Sequence, residues 1–312
     1  MKFKHCITSL CLLFAGPWSV CFGHAEQIEV YDQVEDICHP SLEDLQKIQN
    51  YLLHAERPDL EKFIDKSFIP KTFKFIGNSP EEMPQYYWSA VNCSEEEREN
   101  CIVTYASFNE RYPLGAKRLY ETILKSNFKG HVHCRIGGWP DIEGGGLVLA
   151  HVPFAFKVCF IREMKRKGYK RVFWMDSSLL PFADLNEIFD LIASKGYLVQ
   201  ANSHTFHPPY MNPETAASLG YSFEEASSLL SCAAHFLGVD LTNSKASALI
   251  DAWFLAAKNP YSFYSARSDQ TALSLLLHKE KMSDWLSPKS TGEFSCTTPQ
   301  TLVLMDRAYV KN

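Results

Sequence analysis

The period of apolar positions along this chain changes near residue 101. Before it, Leu42, Leu45, Ile48 and Leu52 recur at helical spacing behind a capping-box-like start, Ser41-Leu42-Glu43-Asp44. That pattern predicts a small helical N-terminal extension over 26–77. Residues 78–100 are polar and acidic, with Pro80, Pro84 and the run Glu95-Glu96-Glu97, and read as a connector or surface loop. From Cys101 onward, β-rich apolar runs alternate with amphipathic stretches. Strands are predicted over 101–106, 131–136, 171–175, 197–201 and 302–305, with 235–241 extended. Helices are predicted over 113–125, 154–167, 185–195, 222–234, 244–257 and 268–279. Strands separated by whole helices need crossover connections, so the expected fold class is α/β, a mostly parallel sheet flanked by helices, filling 101–312.

Within that alternation, Arg171-Val172-Phe173-Trp174-Met175 is an apolar strand that ends abruptly in Asp176. Strands of such sheets open at their carboxyl ends onto a crevice where ligands bind. A carboxylate at that tip can hold a divalent cation. The alternative is that Asp176 caps the turn that follows.

Composition narrows the class. The chain has 46% hydrophobic residues, ordinary for a globular core, and a net charge of −5 with no basic stripe. That argues against a nucleic-acid partner. The N-terminus carries Lys2 and Lys4, then an uncharged apolar run from Cys6 to Phe22, then Gly23-His24-Ala25. This is the layout of a signal peptide, residues 1–25, for export to a periplasm, a lumen or the medium; an uncleaved anchor is the alternative. Removal of 1–25 would take away Cys6, Cys11 and Cys21 and leave an odd number of cysteines. Cys93 and Cys101 are placed to close a small disulfide loop, and buried free thiols fit equally well.

Four phrases in order carry a resemblance: Phe154-Ala155-Phe156-Lys157, Gly168 to Ser178, Leu237-Gly238-Val239-Asp240-Leu241, and Ser268-Asp269-Gln270-Thr271-Ala272. Their order resembles the GT-A glycosyltransferases of the nucleotide-diphospho-sugar transferase superfamily, over roughly residues 100–305. The resemblance implies a GT-A-like fold and transfer of a sugar from a nucleotide-diphosphate donor to a glycan, lipid or protein acceptor. It implies that Asp176 belongs to an acidic signature that coordinates Mn²⁺ or Mg²⁺ on the donor diphosphate. Ser178 stands where that signature has its second acid, and a hydroxyl is a weaker, neutral ligand. The resemblance further implies Lys157 near the nucleotide or its phosphates, and Tyr105 and Ser107 near its base and ribose. Asp269 and Gln270 fall on the acceptor side, where an inverting enzyme uses a carboxylate as general base. Asp269 also reads as a helix cap. The departure at Ser178 keeps a second reading open, a GT-A-like glycan- or protein-binding module without catalysis.

The remaining candidates are simpler. His131 and His133 share one face of a strand, as metal ligands would, with no third ligand in view. His204 and His207 flank a Pro-rich loop, and His204 could complete the cation site. Gly144-Gly145-Gly146 lacks the strand–G-x-G-x-x-G–helix setting and reads as a turn or lid. There is no G-x-S-x-G elbow and no H-E-x-x-H.

Overall fold

The computed structural model describes residues 84–108, 111–138, 140, 149, 152, 154–206, 211–259, 261–263, 265 and 267–306. The extension over 26–77, the export signal, His207 and Gly144–Gly146 lie outside the described residues. The described chain runs β1 (Gln85–Val91), β2 (Asn100–Ala106), α1 (Tyr112–Leu124), β3 (Gly130–Ile136), α2 (Phe156–Arg166), β4 (Arg171–Met175) and β5 (Leu179–Pro181). It continues through α3 (Leu185–Lys195), β6 (Tyr197–Thr205), α4 (Pro213–Ser218), α5 (Phe223–Ser228) and β7 (Leu230–Asp240). It closes with α6 (Ser244–Lys258), α7 (Ser268–Lys279), a 3₁₀ turn, β8 (Thr291–Gly292) and β9 (Val303–Met305).

Six strands form the main sheet in the order β1-β3-β2-β4-β7-β6. β2 pairs in parallel with β3 and β4, while β1 runs antiparallel to β3 and β7 runs antiparallel to both β4 and β6. β2, β3, β4 and β6 therefore point one way, and the sheet is mostly parallel, as the alternation of strands and helices predicts. β5, β9 and β8 make a small second sheet.

Side-chain alternation along the strands builds three layers. Cys101, Val103, Val172, Trp174 and Val199 face one core, packed with Phe160 of α2, Leu249 of α6 and Leu273 of α7. Their sequence neighbours Ile102, Phe173, Met175 and Leu198 face the other core, with Leu119 of α1 and Ile188 and Ile192 of α3. Local signals set the helix ends: Asp184 caps α3 through the Asn186 amide, and Gly196 stops it in the left-handed region at φ 80°.

Two stretches differ from the sequence reading. Residues 85–91, read as connector, form an edge strand registered Gln85 to Ile136 through Val91 to Gly130 on β3. Residues 222–234, read as one helix, are split. Ser222 opens α5 with a true capping box, the helix ends at Ser228, and Leu230 starts the long strand β7. A run such as Leu229-Leu230-Ser231-Cys232-Ala233-Ala234 has no decisive period, and its place between β4 and β6 makes it strand.

The chain steps from β2 to β3 on one side and then crosses through α2 to β4 on the other. Strand order reverses there, and the crevice lies beyond the carboxyl ends of β2 and β4.

Candidate functional site

Lys157 is the anomaly that locates the site. It sits in the first turn of α2, where the helix dipole disfavours a cation, and it is buried, with a side chain 7% exposed. Two carboxylates offset those costs. Asp176 Oδ1 lies 3.2 Å from Nζ and Asp269 Oδ2 lies 2.9 Å from it. The Lys157 ammonium donates its best hydrogen bond to the Ala234 carbonyl at 2.8 Å. Burial pulls this lysine's pKa down, but Asp176 and Asp269 outweigh burial and the net shift is upward. The lysine stays charged, and three acceptors surround its three protons.

Three strand and helix features deliver those groups. Asp176 follows the last residue of β4, and its amide donates to the His235 carbonyl at 2.8 Å, so the sheet ladder fixes its backbone. The Trp174 indole, two residues back on the same face of β4, donates to Asp176 Oδ1 at 2.8 Å. Ala234 owes its inward carbonyl to an irregularity in β7, where the register against β6 shifts between Leu198 and Gln200. Bulges of this kind re-aim groups beside sites. The loop after Asp176 is seated on α1 at Gly115, where a Cβ would lie 2.5 Å from the Ser177 carbonyl oxygen; only a glycine admits that approach. Phe154 precedes α2 with φ 62°, costly for a bulky residue, and its ring lies 5.9 Å from Lys157 Nζ.

The two acids differ. Asp176 has a side chain 31% exposed and faces the crevice. Asp269, in the first turn of α7, has a side chain 6% exposed and turns inward. It does not cap its helix: the cap position is Arg267, without a side-chain cap bond. Its backbone carbonyl accepts the Trp253 indole at 3.2 Å. Asp176 closes the following turn with its backbone carbonyl, which accepts the Leu179 amide at 2.9 Å, so its carboxylate is left to Trp174 and Lys157.

The other sequence candidates are scattered around this core. Tyr105, at the end of β2, is buried against Phe156 and Phe160 with ring centroids 4.8 and 5.0 Å away, and its hydroxyl reaches the Gly138 carbonyl at 3.4 Å. It thus packs on the residue next to Lys157. Ser107 follows it, nearly buried. Ser178 turns away: its hydroxyl donates to the Met305 sulfur at 3.5 Å. Gln270 is half-buried, and its backbone carbonyl accepts the Ser274 hydroxyl at 2.7 Å. His204 is exposed on β6, with Nδ1 3.0 Å from the Thr205 carbonyl.

His131 and His133 do share a face of β3, but a phenol lies between them. The Tyr169 hydroxyl is 2.6 Å from His131 Nδ1 and 2.8 Å from His133 Nε2, and Tyr86 bonds His133 from the other side. Cys93 and Cys101 are free thiols, which sets aside the disulfide. Sequence reasoning missed Trp174, Trp253 and the Ala234 carbonyl. Trp174 was legible from its spacing of two from Asp176 on a strand; the others depend on tertiary contacts.

A divalent cation can be tested against these donors. Mg²⁺ is typically held by one or two carboxylates together with substrate phosphates and water, not by an all-protein cage. Asp176 offers one partly exposed carboxylate of the right hard chemistry. Two carboxylates against one ammonium leave the cluster with a surplus negative charge, which also suits a cation. Among the described residues, no group of three or more His, Cys, Asp or Glu could hold a metal ion alone. The residues fit an ion shared with a phosphate ligand.

No protein-family model matches the chain, and no curated protein matches it. Among solved structures, it is similar to mouse xyloside xylosyltransferase 1 in its apo form, at a TM-score of 0.34 and 10% identity, covering 64% of this chain and 75% of that one.

Proposed function

We propose that the chain is a glycosyltransferase that takes a nucleotide-diphosphate sugar as donor and a glycan, lipid or protein as acceptor. The observation that carries this reading is the Asp176–Lys157–Asp269 cluster at the carboxyl end of β4, beside the reversal in strand order. It joins three of the four phrases on which the resemblance to GT-A enzymes rests.

Asp176 is the residue that would hold Mn²⁺ or Mg²⁺. When bound, such an ion neutralises charge that develops on a leaving diphosphate. Lys157 fixes the Asp176 carboxylate against the strand tip and adds a permanent positive charge behind it. Tyr105 and Ser107 close the β2 end of the crevice, on the nucleotide side. Asp269, with Gln270 next to it, stands on the acceptor side; its burial and its contact with Lys157 make positioning the ammonium its first role. Nucleotide sugars are made in the cytoplasm, so an exported enzyme of this kind works in a compartment supplied with donor.

One observation favours a second reading, a binding module without turnover. Ser178 replaces the second acid, and its hydroxyl is engaged by Met305. Donor hydrolysis separates the two. Purified protein with a panel of nucleotide sugars and Mn²⁺ should release free sugar and nucleoside diphosphate from one donor class. Donor binding without release would establish the module instead.

A further inference from the structure

A groove of about 610 Å³ runs between the second half of α2 and the end of α6. Arg162, Lys165 and Arg166 line it from α2, and Lys258 lines it from α6. Asp251 is the one acid in this lining; Lys165 reaches it at 2.9 Å and Arg162 also bonds it. The floor is Phe254, 3% exposed, with the Arg162 guanidinium 4.3 Å and the Lys258 ammonium 4.7 Å from its ring centroid. Leu255 beside it is 63% exposed. A chain of net charge −5 thus concentrates four cations around one exposed leucine on one pair of helices. An acidic, amphipathic peptide is the ligand that such a surface fits.

The chain carries one. Residues 26–44 hold seven acids and no lysine or arginine. Ile28, Tyr31, Val34 and Ile37 recur at every third position, with Glu29, Asp32, Glu35 and Asp36 between them. We propose that this segment docks in the α2–α6 groove of its own chain, its apolar positions on exposed Leu255 and the aliphatic stems of the flanking side chains, and its acids on the cations those stems carry. The point where the described chain begins supports this occupant. β1 enters the domain beside α2: the ring of Tyr86 lies 5.3 Å from the ammonium of Lys167, the residue that ends α2. About forty residues separate Asp44 from Pro84, enough to reach along α2 even as a coil.

Zero-length carbodiimide cross-linking of the chain from residue 26 onward, at low protein concentration, tests the docking. Mass spectrometry should find intrachain links from Lys165 or Lys258 to Glu29, Asp32 or Glu35. Arg166→Glu with Lys258→Glu should abolish the Lys165 links and raise the rate of proteolysis within 26–44 about fivefold or more. Adding Glu29→Lys, Asp32→Lys and Glu35→Lys to that variant should return cleavage to the wild-type rate. These are surface substitutions, and unchanged melting would confirm an intact fold. Equal cleavage rates before and after groove reversal would overturn the proposal. So would links that form only between chains and grow with concentration, which would mark a second copy as the occupant.

Discussion

Helix α2 carries two buried ion clusters, and the contrast between them is the ground for proposing the first as the site. At its start, one cation, Lys157, serves two acids, Asp176 and Asp269. Further along, one acid, Glu163, serves two cations, Arg135 at 2.9 Å and Lys167 at 3.0 Å. Both buried members would be costly alone, and both are paired. They differ in which member reaches solvent and where. In the second cluster the exposed member is Lys167, on the outside of the helix, and Arg135 is enclosed by the rings of Tyr86 and Phe160 at 4.9 and 5.1 Å. In the first, the exposed member is an acid at the tip of a sheet strand, over the crevice. Burial and pairing alone mark structure; an under-committed charge at the carboxyl edge of the sheet marks chemistry.

The sharpest way to break this contrast is to remove the shared ion of each cluster. Lys157→Met leaves Asp269 buried and unpaired and should cost about 3–5 kcal/mol of stability, together with nucleotide binding. Glu163→Gln keeps an acceptor for Arg135 and should cost about 1.5–3 kcal/mol in denaturant melts, with nucleotide binding unchanged once the protein is folded. Equal loss of nucleotide binding in both variants would erase the distinction drawn here.

Asp269→Asn comes next. The amide keeps the shape and loses the charge that holds Lys157. Turnover should fall by roughly 10²-fold, whether the acid takes a proton or sets the ammonium. The pH profile decides between those roles: loss of the acidic limb, where protonation of a carboxylate base stops turnover, marks a general base, and a uniformly lowered profile marks a positioning residue. Near-normal turnover would remove Asp269 from the mechanism. Gly115→Ala should push the Ser177 carbonyl and with it the Asp176 turn, costing about 1–3 kcal/mol of stability in denaturant melts, and donor affinity should drop with it.

The smallest expected effect belongs to the second cluster's neighbour. Burial, then the charges of Lys167 and Arg135, hold His133 well below the ordinary histidine value of 6.5. The unfolded chain therefore binds the proton first. Stability is complete above about pH 6.5 and is lost as pH falls below it toward the folded value. His133→Gln should flatten that part of a melting-temperature profile, and nucleotide binding should not follow it.

Much of this fold was legible because strand and helix periods differ. β4, α3 and α7 begin and end where the apolar pattern places them. β1 was hidden because Pro84 and the acidic run after it resemble a loop, although Tyr86, Tyr87 and Trp88 are strand-forming residues. An edge strand is only half-buried, so its pattern is weak. Asp176 could be read from its place at a strand end. The run Lys165-Arg166-Lys167 carries no sequence sign of its partners, yet Asp251 engages Lys165, Glu163 and the Tyr86 ring engage Lys167, and Arg166 lines the groove. The inward direction of Asp269 was not legible, since a first-turn acid has the same sequence signature whether it caps, faces water or meets a lysine from another helix.

The central claim is that Asp176, tethered by Lys157, is the group that meets a donor diphosphate through a cation. Calorimetric titration of a nucleoside diphosphate into wild type and Asp176→Asn, each with Mn²⁺ and with a chelator, tests it directly. The account predicts that Mn²⁺ tightens binding to wild type by about tenfold or more, and that Asp176→Asn abolishes the gain while leaving the fold intact. Equal affinity with Mn²⁺ and with chelator in the wild-type protein would contradict it.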